Sequence, residues 1–463
     1  MSFRCEGSIH LEKLSQGNEP GYFRKNPSEC CVGLSRTSRS MPYSAPWVLM
    51  PDRYDLVVTN AALRSEPEPG WSIGIKDGVI QAIDKGSLPG NSVIDAERNL
   101  VTESFVDPHL HLCKVYTITM LGDAALGAYT GGSMGAAMTA IELASAVKDH
   151  YEEEWIYHNA RRALLQGLAH GVTHVQAFAD TDTRARLEGV RALLRVRDEL
   201  KDVMAVQVVA FPQDGVVRDP GASDYVREAL ELGADVVGGI PWIEFTDADA
   251  AAHIDAMLDL AVEFERPAAM LVDDAGDPGL RTTEMLASAA LERELVGRVV
   301  ACHARAMNLY PEPYFRRLVG LVTRARMTFV TDPHTGALCT RALDLLNAGI
   351  PVALGQDDIA DAYYPYGRHN PLEVAFIASH VLGASSFADM ETLYDMLTRH
   401  AARVLRISDH GVEVGHPANL VVLDGGSVWE ALTRHGAPRF VINGGRIVAE
   451  SKSTTQLHGI RAE

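Results

Sequence analysis

Apolar runs of strand length recur along the middle of the chain, and stretches with helical periodicity separate them. The runs are LVTESFVDPHLHL, GVTHVQAF, VMAVQVVAF, ADVVGGI, PAAMLV, RVVACHA, MTFVTDP and IPVALGQDD. Between them, segments such as EEEWIYHNARRALLQGLAHG and TDADAAAHIDAMLDLAVEFE repeat apolar positions at the spacing of an amphipathic helix. Runs this apolar predict strands covered on both faces, as in parallel sheets with helical crossovers. The alternation predicts an α/β fold, a TIM-like (β/α)8 barrel over residues 100–410. An open doubly wound sheet would place a GxGxxG fingerprint after an early strand, and none occurs there.

The two ends read differently. DLVVTNAAL and WSIGIKDGVIQAID alternate about a Lys-Asp-Gly turn, and ANLVVLDG and PRFVINGGRIVAE do so about Asp-Gly and Gly-Gly turns. They predict a small β-sandwich built from residues 51–99 and 411–463. Residues 1–50 mix Gly, Pro, Ser, Asn and charge without a period and read as an N-terminal extension. The longest uncharged run, 124–141, is mostly Gly, Ala and Thr, which suits a glycine-rich loop and helix start rather than a membrane span.

Charge narrows the possible partners. With 42 Lys+Arg against 61 Asp+Glu the net charge is -19, which repels phosphate backbones and anionic lipid, so neither nucleic acid nor membrane is expected. The six cysteines show no CxxC spacing, and the opening MSFRCEGSIH lacks the blocks of a secretory signal. These features predict a reduced, cytoplasmic protein acting on a small molecule. Closed homo-oligomers are common among such proteins.

Barrels of this kind carry their chemistry at the C-terminal ends of the strands. His109 and His111 close the first run, and the period of two puts both on one face of a strand, able to meet one metal ion. His303 ends RVVACHA and Asp357 ends the last run, so both can converge on the same point. Singly, His303 suits a helix cap and Asp357 an N-cap; together, four ligand types at the ends of three strands point to one divalent ion. Zn, Co, Mn and Fe all accept such donors. His334 follows Asp332-Pro333 at the end of the seventh run and faces the same mouth.

PHLHL, VVAFPQDG, ALELGADVVGGIPWIEFT, ACHARAM and GQDDIADAYYPYGRHNPLEV resemble stretches of bacterial cytosine deaminase and its amidohydrolase relatives, a likeness running from about residue 55 to 450. The resemblance implies a metal-bearing (β/α)8 barrel with a terminal β-sandwich, assembled as a tetramer or hexamer. It makes His109 and His111 ligands and Asp357 both ligand and general base. His303 becomes the group that orients the attacking water, and Gln213 a hydrogen-bonding partner of the substrate.

Two departures bear on function. Where the relatives have a fifth-strand histidine ligand and, three residues on, a proton-carrying glutamate, this chain has Leu271 and Asp274. The missing ligand is expected from His303 moving inward, from water, or from a carboxylate such as Asp273. Trp242 stands where the relatives have a histidine. With Phe178 and Tyr116, Leu271 and Trp242 predict an apolar pocket for alkyl or aryl groups. The pattern is similar to the branch that includes molinate hydrolase and the phenylurea hydrolases. The expected activity is metal-dependent hydrolysis of a urea, carbamate, thiocarbamate or amide, with His303, Asp274 or His334 assisting the oxyanion or leaving group. Lys114 and Cys113 are expected to be structural, and one ion rather than two is expected because Pro241-Trp242 occupies the fourth-strand position of a bridging lysine. Deamination of a cytosine-like or triazine ring, and a non-catalytic scaffold, are the alternatives.

Overall fold

The structure, a computed structural model, describes residues 53–121, 134–336 and 338–458. The expectations for residues 1–50 and 124–133 lie outside them; the helix after the glycine-rich run is described from Met134 to Ser145. The strands are β1 (Tyr54–Leu63), β2 (Trp71–Lys76), β3 (Val79–Lys85), β4 (Gly90–Asp95) and β5 (Leu100–Glu103). There follow β6 (Phe105–Leu110), β7 (Val172–Asp180), β8 (Ala205–Phe211), β9 (Val236–Gly239), β10 (Ala268–Val272), β11 (Val299–His303), β12 (Thr328–Thr331) and β13 (Val352–Leu354). The last are β14 (Leu420–Val422), β15 (Phe440–Asn443) and β16 (Arg446–Glu450).

Strands β6 to β13 lie side by side in sequence order as one parallel eight-stranded sheet. Helices such as Glu153–Ala169, Glu188–Leu200 and Asp247–Glu263 make the crossovers. The sheet closes on itself where His111 N donates to the Asp357 carbonyl at 2.7 Å and Asp357 N to the His109 carbonyl at 2.8 Å. It is a TIM-like barrel, as the alternation predicts. Period two sorts its side chains: Ala269 and Leu271 of β10 and Val300 and Cys302 of β11 join an apolar cluster with Phe178, Phe211 and Trp242. Their neighbours Ala268, Met270, Val272, Val299 and Ala301 pack with Val190, Leu193 and Val196 of the helix layer instead.

The run LVTESFVDPHLHL is two strands. Ser104 N donates to the Asn419 carbonyl and Phe105 N to the Gly171 carbonyl, both at 2.9 Å, so adjacent residues belong to different sheets. The second sheet has the order β16-β15-β14-β5-β1-β2-β3, with β4 also on β1. Its two parts share an apolar cluster that includes Leu56, Val58, Ile73, Ile75, Val101, Leu420 and Ile442. Two of the three expected turns are there: Asp77-Gly78 (φ 50° and 77°) joins β2 to β3, and Gly444-Gly445 (φ 53° and 74°) joins β15 to β16, whereas Asp424-Gly425 leads from β14 into the helix Val428–Arg434. Two successive positive φ values are what the primed two-residue hairpin turns require.

Candidate metal centre and active site

His109, His111, His303 and Asp357 converge at the open end of the barrel. Their donor atoms all lie within 4.8 Å of one another, and all four residues are buried. Asp357 Oδ1 stands 3.3 Å from His109 Nε2, 3.7 Å from His111 Nε2 and 3.8 Å from His303 Nε2. Four ligands about 2.1 Å from one ion in a tetrahedron stand about 3.4 Å apart, so the spacing fits a divalent metal. Both ring nitrogens of His109 and Nδ1 of His111 are buried without a hydrogen bond, a cost that an ion on Nε2 would relieve for His109. Among the described residues no other His, Cys, Asp and Glu group forms such a set.

Backbone geometry aims these groups. His303 (φ 67°) and Asp357 (φ 62°) are left-handed, a conformation that costs a non-glycine residue about 1 kcal/mol or more and turns the chain out of its strand. Asp107 staples the ends of the barrel together: Oδ1 accepts from His109 N at 3.2 Å and Gln356 N at 3.1 Å, while Oδ2 pairs with His369 Nε2 at 2.9 Å. Gly355 leaves the room this needs. A Cβ there would collide with Asp332 Oδ1 and come within 2.8 Å of His109 Cβ.

The protonation states follow from the neighbours. Burial and the nearby charges of Lys114 and His109 hold the His111 imidazole well below its ordinary pKa. Burial opposes the charge of Asp357, but His303, His109 and His111 outweigh it and hold the carboxyl well below its usual range. His303 is different: against the effect of burial, Asp274, Asp357 and Asp332 lift it to about 9. Asp332 Oδ2 lies 3.2 Å from His303 Nδ1, where it can hold the proton that frees Nε2 as a ligand.

A small cavity opens beside the centre. His111, His303 and Asp357 line it together with Gln213, Trp242, Leu271, Asp274, Asp358, Tyr363, Ile141 and Ile240. Four of the substrate-side candidates, Gln213, Trp242, Leu271 and Asp274, are thus brought together at the metal centre. His334 is not: its Nε2 bonds the Gln356 carbonyl at 3.0 Å and its ring packs on Tyr364, so it holds a loop. Phe178 backs the centre, 4.2 Å from the His109 ring, whereas the Tyr116 hydroxyl bonds Gln166 and lines no part of the cavity. Asp273 is occupied elsewhere, accepting from Thr282 N and Oγ1 at 2.7 Å and from the Tyr310 hydroxyl at 2.7 Å, so it cannot replace the missing ligand. Lys114 holds the Gln213 carbonyl oxygen and lies 3.3 Å from Asp180, while burial pushes the Cys113 thiol up to about 12.

Three functional residues escape sequence reasoning. Arg305 is buried beside His303, with Nε 2.5 Å from Asp274 Oδ1; two residues past a strand-end histidine it reads as a surface helix residue. Asp358, buried against Asp357 and Asp361, is pushed well above the usual carboxylate range. Glu244 follows β9 and accepts from the amides of Val216, Val217 and Arg218 at 2.7 to 3.1 Å and from His253 Nδ1 at 2.7 Å. It ties the loop carrying Gln213 to the loop carrying Trp242. Its place in IPWIEFT, two residues beyond Trp242, was a signal available in the sequence.

Comparison with known proteins agrees with this geometry. Residues 92–449 match the amidohydrolase family model. The chain is 31% identical over 404 residues to the N-isopropylammelide isopropyl amidohydrolase of Pseudomonas sp. (strain ADP), covering 86% of this chain and 98% of that one. It is 26% identical to the pterin deaminase of Rhizobium rhizogenes, over 82% of this chain and 88% of that one. The 5-methylcytosine deaminase of Klebsiella pneumoniae, solved with 5-fluorocytosine, superposes with a TM-score of 0.80 at 28% identity, over 87% of this chain and 99% of that one. The scaffold alternative is thereby set aside. The chain belongs to the amidohydrolase family and is a hydrolase acting on carbon–nitrogen bonds.

Proposed function

We propose that the protein releases an alkylamine or arylamine by hydrolysing its bond to a carbon flanked by a second nitrogen, on a triazine- or pyrimidine-like ring. The observation that carries this reading is the cavity, which sets His111, His303 and Asp357 beside the apolar Ile141, Ile240, Trp242 and Leu271. An amine with an alkyl group has apolar surface to bury there, about 0.8 kcal/mol for each CH₂, and ammonia has none. The named substrate of the Pseudomonas relative, an N-alkylamino compound, supports the same choice.

His109, His111, His303 and Asp357 would hold one divalent ion, which when bound acidifies a water molecule and polarises the carbon under attack. Asp357 is built to take the proton from that water. Thr335 Oγ1 ties back its Oδ2 at 2.6 Å, leaving Oδ1 turned to the three histidines. Burial and the charges of Asp357 and Asp361 push the Asp358 carboxyl well above its usual range, and it lines the cavity, so it is the group placed to give a proton to the leaving nitrogen. Gln213, with its oxygen held by Lys114 and one N–H donated to the Tyr363 hydroxyl at 3.3 Å, presents its other amide N–H to a substrate acceptor. Asp274, paired with Arg305, is an acceptor rather than the proton carrier expected from the sequence.

That same pairing favours a second reading, cleavage of open-chain ureas and (thio)carbamates, which have no ring nitrogen to protonate. One panel separates them: the metal-loaded protein is given N-isopropylammelide, cytosine, an N-alkyl phenylurea and an N,N-dialkyl thiocarbamate. Isopropylamine release as the fastest reaction supports the proposal. Amine or thiol release from the urea or thiocarbamate alone supports the second reading, and ammonia release from cytosine alone refutes both. The described cysteines are free thiols, which suits a reducing cytoplasm. No helix among the described residues is long and apolar enough to cross a membrane.

A further inference from the structure

Arg305 belongs neither to the metal set nor to the cavity lining, yet it is buried at the site. Its Nε donates to Asp274 Oδ1 at 2.5 Å, Nη2 to Thr335 Oγ1 at 2.8 Å and Nη1 to the Leu338 carbonyl at 3.1 Å, and Nη2 also lies 3.2 Å from His303 Nδ1 and 3.7 Å from Asp357 Oδ2. Room for the guanidinium is prepared, because a Cβ at Gly336 would run into Nη1. One oxygen of Asp274 is therefore fixed in place, while Oδ2 makes no hydrogen bond to another described residue. The residue still lines the cavity next to Leu271, its neighbour three positions back, and Trp242.

We propose that Asp274, held in place by Arg305, accepts the N–H of a secondary alkylamino group whose alkyl part lies on Leu271 and Trp242. This rests on the reading that the protein releases an alkylamine. A carboxylate at an apolar wall is a selective acceptor. A ligand N–H satisfies its Oδ2, whereas an oxygen in the same place sets lone pair against lone pair and leaves Oδ2 without a partner. Arg305 acts through Asp274 and is a positioning residue. Leu271, which costs the centre its fifth-strand ligand, gains a purpose here: it gives the alkyl group a surface that a histidine would not.

The test is equilibrium binding of two isosteres, 2-(isopropylamino)pyrimidine and 2-isopropoxypyrimidine, to the metal-loaded full-length protein by titration calorimetry. The amine should bind at least about tenfold more tightly than the ether. Measured with the metal site saturated, Arg305→Met should narrow that ratio to about threefold or less, and Arg305→Lys should restore part of it. Because Arg305→Met leaves a buried carboxylate unpaired, a double variant, Asp274→Leu with Arg305→Met, removes both charges together. Its ratio should fall to about one. Equal binding of the two compounds by the wild type, or a ratio that survives in the double variant, overturns the proposal. If the ratio fails while isopropylamine is still released from N-isopropylammelide, the subsite is wrong and the reaction stands. An intact ratio without amine release supports the subsite and removes the reaction.

Discussion

His303 should make metal uptake depend on pH. Burial opposes its charge, but Asp274, Asp357 and Asp332 lift it to about 9, so without an ion it is protonated through the neutral range. Nε2 cannot bind a metal until a proton leaves the ring. His111 needs no such step, because burial and Lys114 already keep it neutral. Below about pH 9 each ion bound therefore expels the His303 proton, and affinity rises about tenfold per pH unit until it levels off near that pH. At pH 7 the reduction is about 100-fold, or about 2.7 kcal/mol. Competition against a chromophoric chelator of known protonation, from about pH 6.5 to 9.5, measures the slope. Calorimetry in two buffers of different ionisation enthalpy counts the proton. Asp274→Asn removes a charge that raises the His303 pKa, so the plateau should begin at lower pH. A flat affinity from about pH 7 to 8.5, with no proton released, would refute His303 as a ligand.

Other consequences follow from named contacts. Leu271→His adds a ligand at the end of β10 and should tighten metal binding by about tenfold or more with little gain in amine release, since it also removes apolar wall. Gly355→Ala drives a Cβ into Asp332 and His109; thermal unfolding should show a loss of about 1–3 kcal/mol together with weaker metal retention. Glu244→Gln leaves some of the Val216, Val217 and Arg218 amides without an acceptor and should cost about 1–3 kcal/mol of stability. Steady-state kinetics should show a raised KM at unchanged metal content, because Gln213 and Trp242 lose their common anchor.

Barrel strands were legible because parallel strands buried on both faces must be continuously apolar, and RVVACHA or PAAMLV can be little else. The break at Ser104 was not, since hydrogen bonds to Asn419 and Gly171 depend on residues far along the chain. His109, His111, His303 and Asp357 were readable as strand-end residues of ligand type. Their left-handed turns at His303 and Asp357 were invisible, being imposed by packing rather than by local preference. His334 was placed toward the mouth by its strand-end position and Tyr116 in the pocket as apolar bulk, and bonds to the Gln356 carbonyl and to Gln166 leave both out of the cavity lining. Arg305 was missed for the opposite reason: an arginine is ordinarily exposed, and its burial depends on Asp274, Thr335 and Gly336 supplying charge, hydrogen bonds and space.

Metal content tests the central claim most directly. The full-length protein, purified without chelators, is analysed for Zn, Mn, Co and Fe beside His303→Ala and Asp357→Asn. The wild type should carry close to one divalent ion per chain, and both variants should lose most of it while keeping a wild-type circular dichroism spectrum. An active wild type free of metal, or a His303→Ala protein that retains its full ion, would contradict the four-residue centre.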